Sequence, residues 1–527
     1  MSDVSPVVWL DGKQSTGQPL IRLSPEDNVA VALRTLKAGE SLDIPGTVSD
    51  RGSQVLQIVD RISKGHKVAL YDLTEGERVN KYAQLIGVAS KPIKAGEHIH
   101  THNLSFIDND AIHKRGDANT PVEVNCTDTF AGFVRADGRV GTRNFIAVIS
   151  SVNCSATVTN RIASAFDHGQ LDAYENIDGV AAFTHGTGCG MDDESEGFQN
   201  LQNVLAGYAR HPNVGGVLLV GLGCETSQLS TTIEAHKLAS GPLLRTMNIQ
   251  TTGGHSKTLE RGIEIIQSML DSVNQQQRVS CPVSKLTLAL QCGGSDAWSG
   301  ITANPALGHA ADLLTRQGGT VVLAETPEIY GAEHLLTQRA VNDDVIESLM
   351  QRIHWWQDYV ARNNGSLDNN PSPGNKLGGL TTILEKSLGA VAKGGTTPLN
   401  GVYRYGEQVD TPGFVFMDSP GYDPASVTGQ IASGCNLVAF TTGRGSTFGS
   451  KPSPCLKIAT NTDMYRQLTD DMDIDAGTIV SDGDSVADVG QRIYERLVAV
   501  ASGERTLSES HGLGDHEFVP WQIGATM

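Results

Sequence analysis

The chain is poor in aromatic residues, which make up 5% of its 527 positions. It has no apolar run near the ~20 residues that a membrane helix needs, so no membrane association is expected. Met1 to Gln14 lack a basic flank followed by an apolar core, and no secretory signal is read there. Basic residues are also short: 40 Lys and Arg stand against 59 Asp and Glu, a formal charge of −19. Phosphate backbones are held by basic stripes, so no nucleic-acid partner is expected. A few local Arg or Lys can still hold one carboxylate. None of the eight cysteines forms a C-x-x-C pair, which argues against a zinc ribbon or a thioredoxin-type motif. With no export signal, the thiols are expected to be reduced, as in a cytoplasmic protein. The phosphate-binding G-x-x-x-x-G-K-[ST], a dinucleotide G-x-G-x-x-G in a strand-to-helix setting, H-E-x-x-H and G-x-S-x-G are all missing. Nucleotide, zinc-protease and serine-hydrolase chemistry lose support accordingly.

Hydrophobic residues reach 39% and charged residues 19%, a globular rather than disordered composition. Glycine is over-used at 58 residues, against a usual fraction of about 7%. The glycines cluster between apolar runs, as in tight strand-to-helix loops. Length suggests about three domains at roughly 150 residues each. Asp27 to Leu33, Val68 to Asp72 and Tyr82 to Gly87 read as short strands, giving a compact β module over residues 17–105. Polar, aperiodic residues 106–127 read as a linker. Beyond it, apolar β-rich runs alternate with helix-like stretches, the pattern of an open α/β sheet. The fold class is therefore α/β: a small β domain, then two α/β lobes with mostly parallel sheets, 128–280 and 281–527. A cleft is expected between the lobes. Residues 361–379, with Asn363-Asn364-Gly365 and Asn370-Pro371-Ser372-Pro373-Gly374, read as a long loop.

Three strand-like runs end near Cys154, Cys189 and Cys224, spaced 35 residues apart. A βα unit is about this long, so the three thiols should sit past the carboxyl ends of successive strands. Ligands bind at that edge of open α/β sheets. Cys292, in Gln-Cys-Gly-Gly-Ser-Asp, follows a fourth such run. Thiolates suit iron or zinc. His98, His100 and His102 alternate, which on a strand places them on one face, where they can hold a metal or a carboxylate. His66 lies between Gly65 and Lys67, and His185 four residues before Cys189; either can serve as an acid or base. Arg143, Lys376 and Arg444 stand in Gly-rich loops, where a guanidinium or ammonium can clamp a carboxylate.

Several long motifs resemble those of the altronate/galactarate dehydratase family. They include Asp137-Gly138-Arg139-Val140-Gly141-Thr142-Arg143-Asn144 with Ser151-Val152-Asn153-Cys154, and Gly221-Leu222-Gly223-Cys224-Glu225. They also include Gln291 to Asp296 with Ser299 to Pro305, Asn370 to Lys376, and Thr441 to Gly445. The similarity runs from about residue 20 to the C-terminus, and the β module resembles the family's SAF module, a β-clip fold. The extension before residue 20 departs from the pattern. The resemblance implies a sugar-acid dehydratase activated by Fe2+, with Mn2+ as a substitute. The His98–His102 run and Gly434-Cys435 side with altronate over galactarate. A non-catalytic sugar-acid binding protein and a hydrolase are weaker alternatives.

On this reading Cys154, Cys189 and Cys292 hold the metal, with Cys224, His98, His100 and His102 in reserve. Three cysteines also suit a [4Fe–4S] cluster with one open iron. Arg143, Lys376 and Arg444 clamp the substrate carboxylate. Ser295, Asp296, Asn304 and Asn375 bind the substrate hydroxyls, Asn144 is a further substrate-binding residue, and His66, His185 and Lys376 are the catalytic candidates. The module would close over the cleft as a lid or supply a second half-site. The sequence leaves open whether the chain forms a homo-oligomer.

Overall fold

The computed structural model describes residues 19–44, 54–108, 113–116, 122–167 and 169–527. The N-terminal extension before residue 19 lies outside these, as does part of the 106–127 linker. The N-terminal module is built of short antiparallel strands. One sheet has the order Leu20–Ile21, Val29–Ala32, Lys67–Ala69, His98–Ile99. A second joins Arg78–Lys81, Gln84–Ala89 and Leu104–Ser105.

Two parallel sheets follow. The first contains β1 (Phe145–Ser150), β2 (Gly179–Phe183), β3 (Val214–Gly221) and β4 (Leu244–Asn248) in the order β2-β1-β3-β4. The second contains β5 (Thr287–Cys292), β6 (Thr320–Leu323), β7 (Leu399–Tyr403), β8 (Gly413–Met417), β9 (Leu437–Thr442), β10 (Cys455–Ala459) and β11 (Ile474–Asp475). Its order is β7-β8-β6-β5-β9-β10-β11. Both central strands, β1 and β5, are fully buried except for Thr287 at the start of β5. Strands covered on both faces read as unbroken apolar runs, and that is why the runs stood out in the sequence. In each sheet the chain leaves the central strand first to one side and later to the other. The carboxyl ends of β1 and β5 are therefore topological switch points, where open α/β sheets form crevices. An antiparallel pair, Thr129–Val134 with Val279–Pro282, closes the first lobe on itself.

Residues 361–379 are ordered rather than a bare loop. They contain the short helix α2 (Pro373–Leu377), whose start is fixed by a capping box between Ser372 and Asn375. The His-rich strand is also shorter than its alternation suggests. It ends at Ile99, and His102 falls in a turn. Likewise Tyr82 and Ala83 are not strand residues but the two-residue turn between Lys81 and Gln84. Both have positive φ, 62° and 57°, where Asn-Gly is the usual choice. The carboxylate of Asp27 accepts hydrogen bonds from both of their amides, at 3.2 and 2.8 Å, which fixes the turn.

The module is docked, not hinged as a lid. Its core residues Val29, Ala69, Val79, Ile86 and Ile99 pack in one continuous cluster with Leu288, Leu290, Ala303 and Leu388 of the second lobe. The helix α3 (Ile383–Val391) carries Glu385 into this interface. Lys67 and Lys81 of the module donate to its carboxylate at 2.8 and 2.9 Å, with all three side chains fully buried. Lys67 also donates to the Gly379 carbonyl at 2.7 Å. Burial works against the charge of Glu385, and the two ammonium groups more than offset it, holding the carboxyl below its ordinary range. Glu385→Ala should lower unfolding stability by about 3–5 kcal/mol, because it strands two buried ammonium groups. Denaturant titration followed by circular dichroism measures this. A loss under about 1 kcal/mol would mean that the triad does not hold the module.

Candidate functional site

The carboxyl edge of the second sheet gathers a buried polar cluster. Cys292 ends β5. Glu325 and Glu328 follow β6, and Lys386 projects from α3. Lys393 lies in the turn after α3, and Asp423 opens the helix α4 (Asp423–Ala432) after β8. Lys393 Nζ lies 2.9 Å from Cys292 Sγ and 3.8 Å from Glu325. Glu328 lies 3.5 Å from Cys292 Sγ and 2.6 Å from Lys386 Nζ, which also meets Asn370 Oδ1 at 2.6 Å. A Cβ at position 293 would collide with the Asp423 carboxylate, so Gly293 lets Asp423 lie against the backbone beside Cys292.

Glu325 is the exceptional member. It is 0% exposed, and neither carboxylate oxygen has a hydrogen-bond partner. Its backbone is left-handed, φ 72° and ψ 70°, a conformation that a non-glycine residue adopts only under constraint. Among the described residues, one group of three His, Cys, Asp or Glu side chains brings ligand atoms within 4.8 Å of one another: Cys292, Glu325 and Glu328. Burial, then the charge of Glu328, pushes the Glu325 carboxyl well above its ordinary range. Burial opposes ionisation of Glu328 too, but Lys386 and Lys393 outweigh it and hold that carboxyl low. Burial pushes the Cys292 thiol up to about 12 despite Lys393. Asp423, half-buried, is raised to about 6 by burial and by Glu328.

The module supplies the rim. His66 Nδ1 and His98 Nε2 lie 3.0 Å apart. His66 Nε2 meets the Leu377 carbonyl at 3.2 Å and His100 Nε2 the Lys376 carbonyl at 2.9 Å, both on α2. A carbonyl only accepts, so these two nitrogens carry protons, and His98 donates to His66 Nδ1. The His102 ring lies 5.5 Å from that of His98. Burial, then neighbouring charge, lowers His98 to about 3; burial lowers His100 to about 4. The imidazoles of His98 and His100 are neutral near pH 7. Lys376, half-buried, lies on α2 beneath His100, and Arg444, exposed, is held by its amide on the Gly294 carbonyl at 2.9 Å, two residues beyond Cys292.

Other predicted residues serve the framework. Arg143 is 1% exposed and binds Glu509 at 2.6 and 2.8 Å, together with the carbonyls of Thr142, Val500 and Glu504. Asn144 joins Arg135 to the carbonyls of Asn176 and Val273. Asn304 bridges Thr441 and Gly389. Asp296 accepts from Trp298, Ser299, Thr460 and Asn461, and Asn375 ties α2 to the Ser295 carbonyl. His185 spans Ser150 and Thr187 with its two nitrogens and, through burial, titrates at about 4. These side chains fix the loops that carry the cleft.

The four strand-end cysteines do not form one site. Cys154, Cys189 and Cys224 follow β1, β2 and β3 and are exposed, whereas Cys292 is buried on the other sheet. The expected Cys154–Cys189–Cys292 set is thus divided between two sheets. The cause is the Thr129–Val134 and Val279–Pro282 pairing, which closes the first lobe before β5 begins.

Family comparison agrees with this layout. Residues 18–106 match the altronate/galactarate dehydratase SAF domain, 132–274 the second domain of D-galactarate dehydratase/altronate hydrolase, and 283–526 the C-terminal D-galactarate/altronate dehydratase domain. The altronate dehydratase of Bacillus subtilis is 36% identical over 96% of this chain and 99% of its own. The chain belongs to the altronate/galactarate dehydratase family. The galactarate dehydratase (L-threo-forming) of Escherichia coli is 35% identical, covering 94% of this chain and 95% of its own, and the altronate dehydratase of the same organism 33%, covering 96% and 99%. As a member, the chain is a sugar-acid dehydratase, a hydro-lyase. Among its described residues, no helix is long and apolar enough to cross a membrane.

Within this family framework the sequence reading missed Glu325, Glu328, Lys386, Lys393 and Asp423 as site residues. One signal was present: Glu385-Lys386 are charges inside the otherwise apolar Ile383–Val391, and buried charges are paired. In metal-free protein, iodoacetamide should modify Cys154, Cys189 and Cys224 about 10²-fold or more faster than Cys292. Peptide mass mapping reads this, and equal labelling of Cys292 would mean that the pocket is open to solvent.

Proposed function

We propose that this chain dehydrates D-altronate to 2-dehydro-3-deoxy-D-gluconate and water. The observation that carries the chemistry is the buried Glu325 carboxylate, whose oxygens have no hydrogen-bond partner beside Cys292, Glu328 and two lysines. Such a group is retained where a ligand completes it. The His98–His102 segment on the rim supports altronate over D-galactarate, whose product would be 5-dehydro-4-deoxy-D-glucarate. Identity to the altronate and galactarate dehydratases is nearly equal, so the choice of substrate rests on the rim.

The reaction removes a weakly acidic proton from C2, beside a carboxylate, and expels hydroxide from C3. Asp423 suits the first role: its carboxylate is half-buried, lies at the switch point, and is raised to about 6 by burial and by Glu328. It takes the C2 proton, and the C2 electron pair forms the C2–C3 double bond. The C3–O bond breaks with its electrons on oxygen, and a proton delivered from the Lys386–Glu328 pair completes water. The enol then ketonises, gaining a proton at C3 and losing the proton of its C2 hydroxyl to solvent. Lys376 and Arg444 hold the substrate carboxylate from the rim.

The donor set Cys292, Glu325 and Glu328 fits Fe2+, combining a thiol with two carboxylates, and its oxygens also suit Mn2+. Bound there, the ion would supply Lewis acidity toward the substrate's oxygens. An anaerobic assay with D-altronate and D-galactarate, each with and without Fe2+, tests the reading by following keto-deoxy acid release. Iron-dependent turnover of altronate alone is expected, with Asp423→Asn lowering kcat by about 10² or more. Turnover of galactarate alone would reassign the substrate. Turnover of neither would overturn the proposal.

A further inference from the structure

The first lobe has its own switch point, and the chemistry described so far does not use it. From β1 the chain passes to β2 on one side and later to β3 on the other. The crevice at these three carboxyl ends is where an open α/β sheet takes a ligand. Each of the three strands is followed by one exposed cysteine in the loop at that edge: Cys154 after β1, Cys189 after β2, Cys224 after β3. The alignment is close. Ser150 pairs with Val220 and Ile149 with Phe183, so Cys154 and Cys224 each lie four residues beyond paired positions, and Cys189 one residue further. Adjacent strands lie about 4.8 Å apart.

The loops carrying these thiols are fastened to one another. The Asn153 amide donates to the Thr187 carbonyl at 2.9 Å, and the Ser227 amide to the Gly188 carbonyl at 3.0 Å. A Cβ at position 188 would strike the Ser151 carbonyl, and its φ of 99° also requires glycine. Gly188, the residue before Cys189, is thus the wedge between the β1 and β3 loops. Glu225 locks the third loop by accepting from Ser151 Oγ at 2.6 Å and from the Leu222 and Gly223 amides at 3.1 and 2.6 Å. Cys224 Sγ accepts from Gln250 Nε2 at 3.3 Å. Cys154 lies in the first turn of the twelve-residue helix α1 (Asn153–Ser164). By contrast, Cys281, Cys435 and Cys455 are buried, and burial pushes the thiols of Cys435 and Cys455 up.

Three soft donors restrict the ligand to zinc, copper(I) or iron–sulfur. A single zinc or copper(I) ion, with metal–sulfur bonds of about 2.3 Å, would draw the sulfurs to within about 4 Å of one another. Among the described residues, no three donor atoms in this crevice lie within 4.8 Å of one another. His185 cannot add a ligand, since both its nitrogens are engaged. We infer that Cys154, Cys189 and Cys224 are the three protein ligands of a [4Fe–4S] cluster whose fourth iron has no protein thiolate. Cys292 is not among them.

The inference rests on these loops and not on the choice of substrate. Full-length protein is stripped of metal, then incubated anaerobically with ferrous iron and sulfide, desalted, and assayed for iron, acid-labile sulfide and visible absorbance. About four iron and four sulfide per chain are expected. Cys154→Ser, Cys189→Ser and Cys224→Ser should each lose at least tenfold in bound sulfide. Cys292→Ser should keep it. The three positions are exposed, and matching circular dichroism and thermal unfolding of the metal-free variants separates ligand loss from misfolding. Iron without sulfide, retention of sulfide by all three variants, or its loss in Cys292→Ser would overturn the inference. Sulfide retention is read without turnover, so a failed altronate assay and a failed reconstitution are distinct results.

Discussion

The buried carboxylate of Glu385 is the constraint on which the site depends. The β module has one small core of its own, around Leu36, Ile58, Ile62 and Val68, and completes a second one against the second lobe. Two lysines enter that interface from the module, and Glu385 neutralises both. The same helix presents Lys386, the next residue, to Glu328. Thus the group that fixes the module also sets the angle at which the carboxyl edge of the second sheet receives the Lys386 ammonium. Lys67, bonded to the Gly379 carbonyl, places His66 against α2, so the rim imidazoles inherit their position from the same joint. A buried ion triad is weak evidence for stability by itself. Its role here is registry: one docking angle satisfies three charges, and other angles strand them.

Much of the fold was legible because parallel strands buried on both faces leave unbroken apolar runs, as in Phe145–Ser150 and Leu437–Thr442. The spacing of Cys154, Cys189 and Cys224 was legible for a related reason: each βα unit repeats at similar length. Less visible was the boundary that puts Cys292 on another sheet. It arises from Val279–Pro282 pairing back with Thr129–Val134, about 150 residues away in sequence, and short antiparallel strands carry little signal. Arg143 shows the same limit. In its Gly-rich setting it resembles a ligand clamp, but its partner is Glu509. No local pattern announces a contact between residues so far apart. Tyr82 and Ala83 read as strand because β-propensity favours Tyr, whereas Asp27 pulls their amides into a turn.

The two sheets offer contrasting environments at equivalent topological points. On the first, the strand-end side chains are thiols open to solvent, held by interlocked loops. On the second, the strand ends are roofed by α3, α2 and the module, and the resident groups are carboxylates and ammonium ions. Roofing removes water, which strengthens charge interactions and separates the titration of neighbouring groups. Glu325 and Glu328 illustrate it: they lie in one pocket, yet the first is pushed far up and the second held low. Lys386 and Lys393 produce the difference, because one ammonium bonds Glu328 at 2.6 Å while the other stands 3.8 Å from Glu325.

Glu325 therefore combines three unfavourable features in one residue: a left-handed backbone, complete burial and two oxygens without hydrogen-bond donors. Strain of this kind costs about 1–3 kcal/mol, and an unsatisfied buried polar group about as much again. A framework residue would gain nothing from any of them. Asp296 shows what a framework carboxylate looks like in the same sheet edge, with four residues donating to it. The contrast assigns Asp296 to holding loops and Glu325 to whatever enters the pocket. The left-handed turn after β6 sets Glu325 beside Cys292 and Lys393 at the carboxyl edge of the sheet, so the backbone strain and the unpartnered oxygens meet at the same point of the fold.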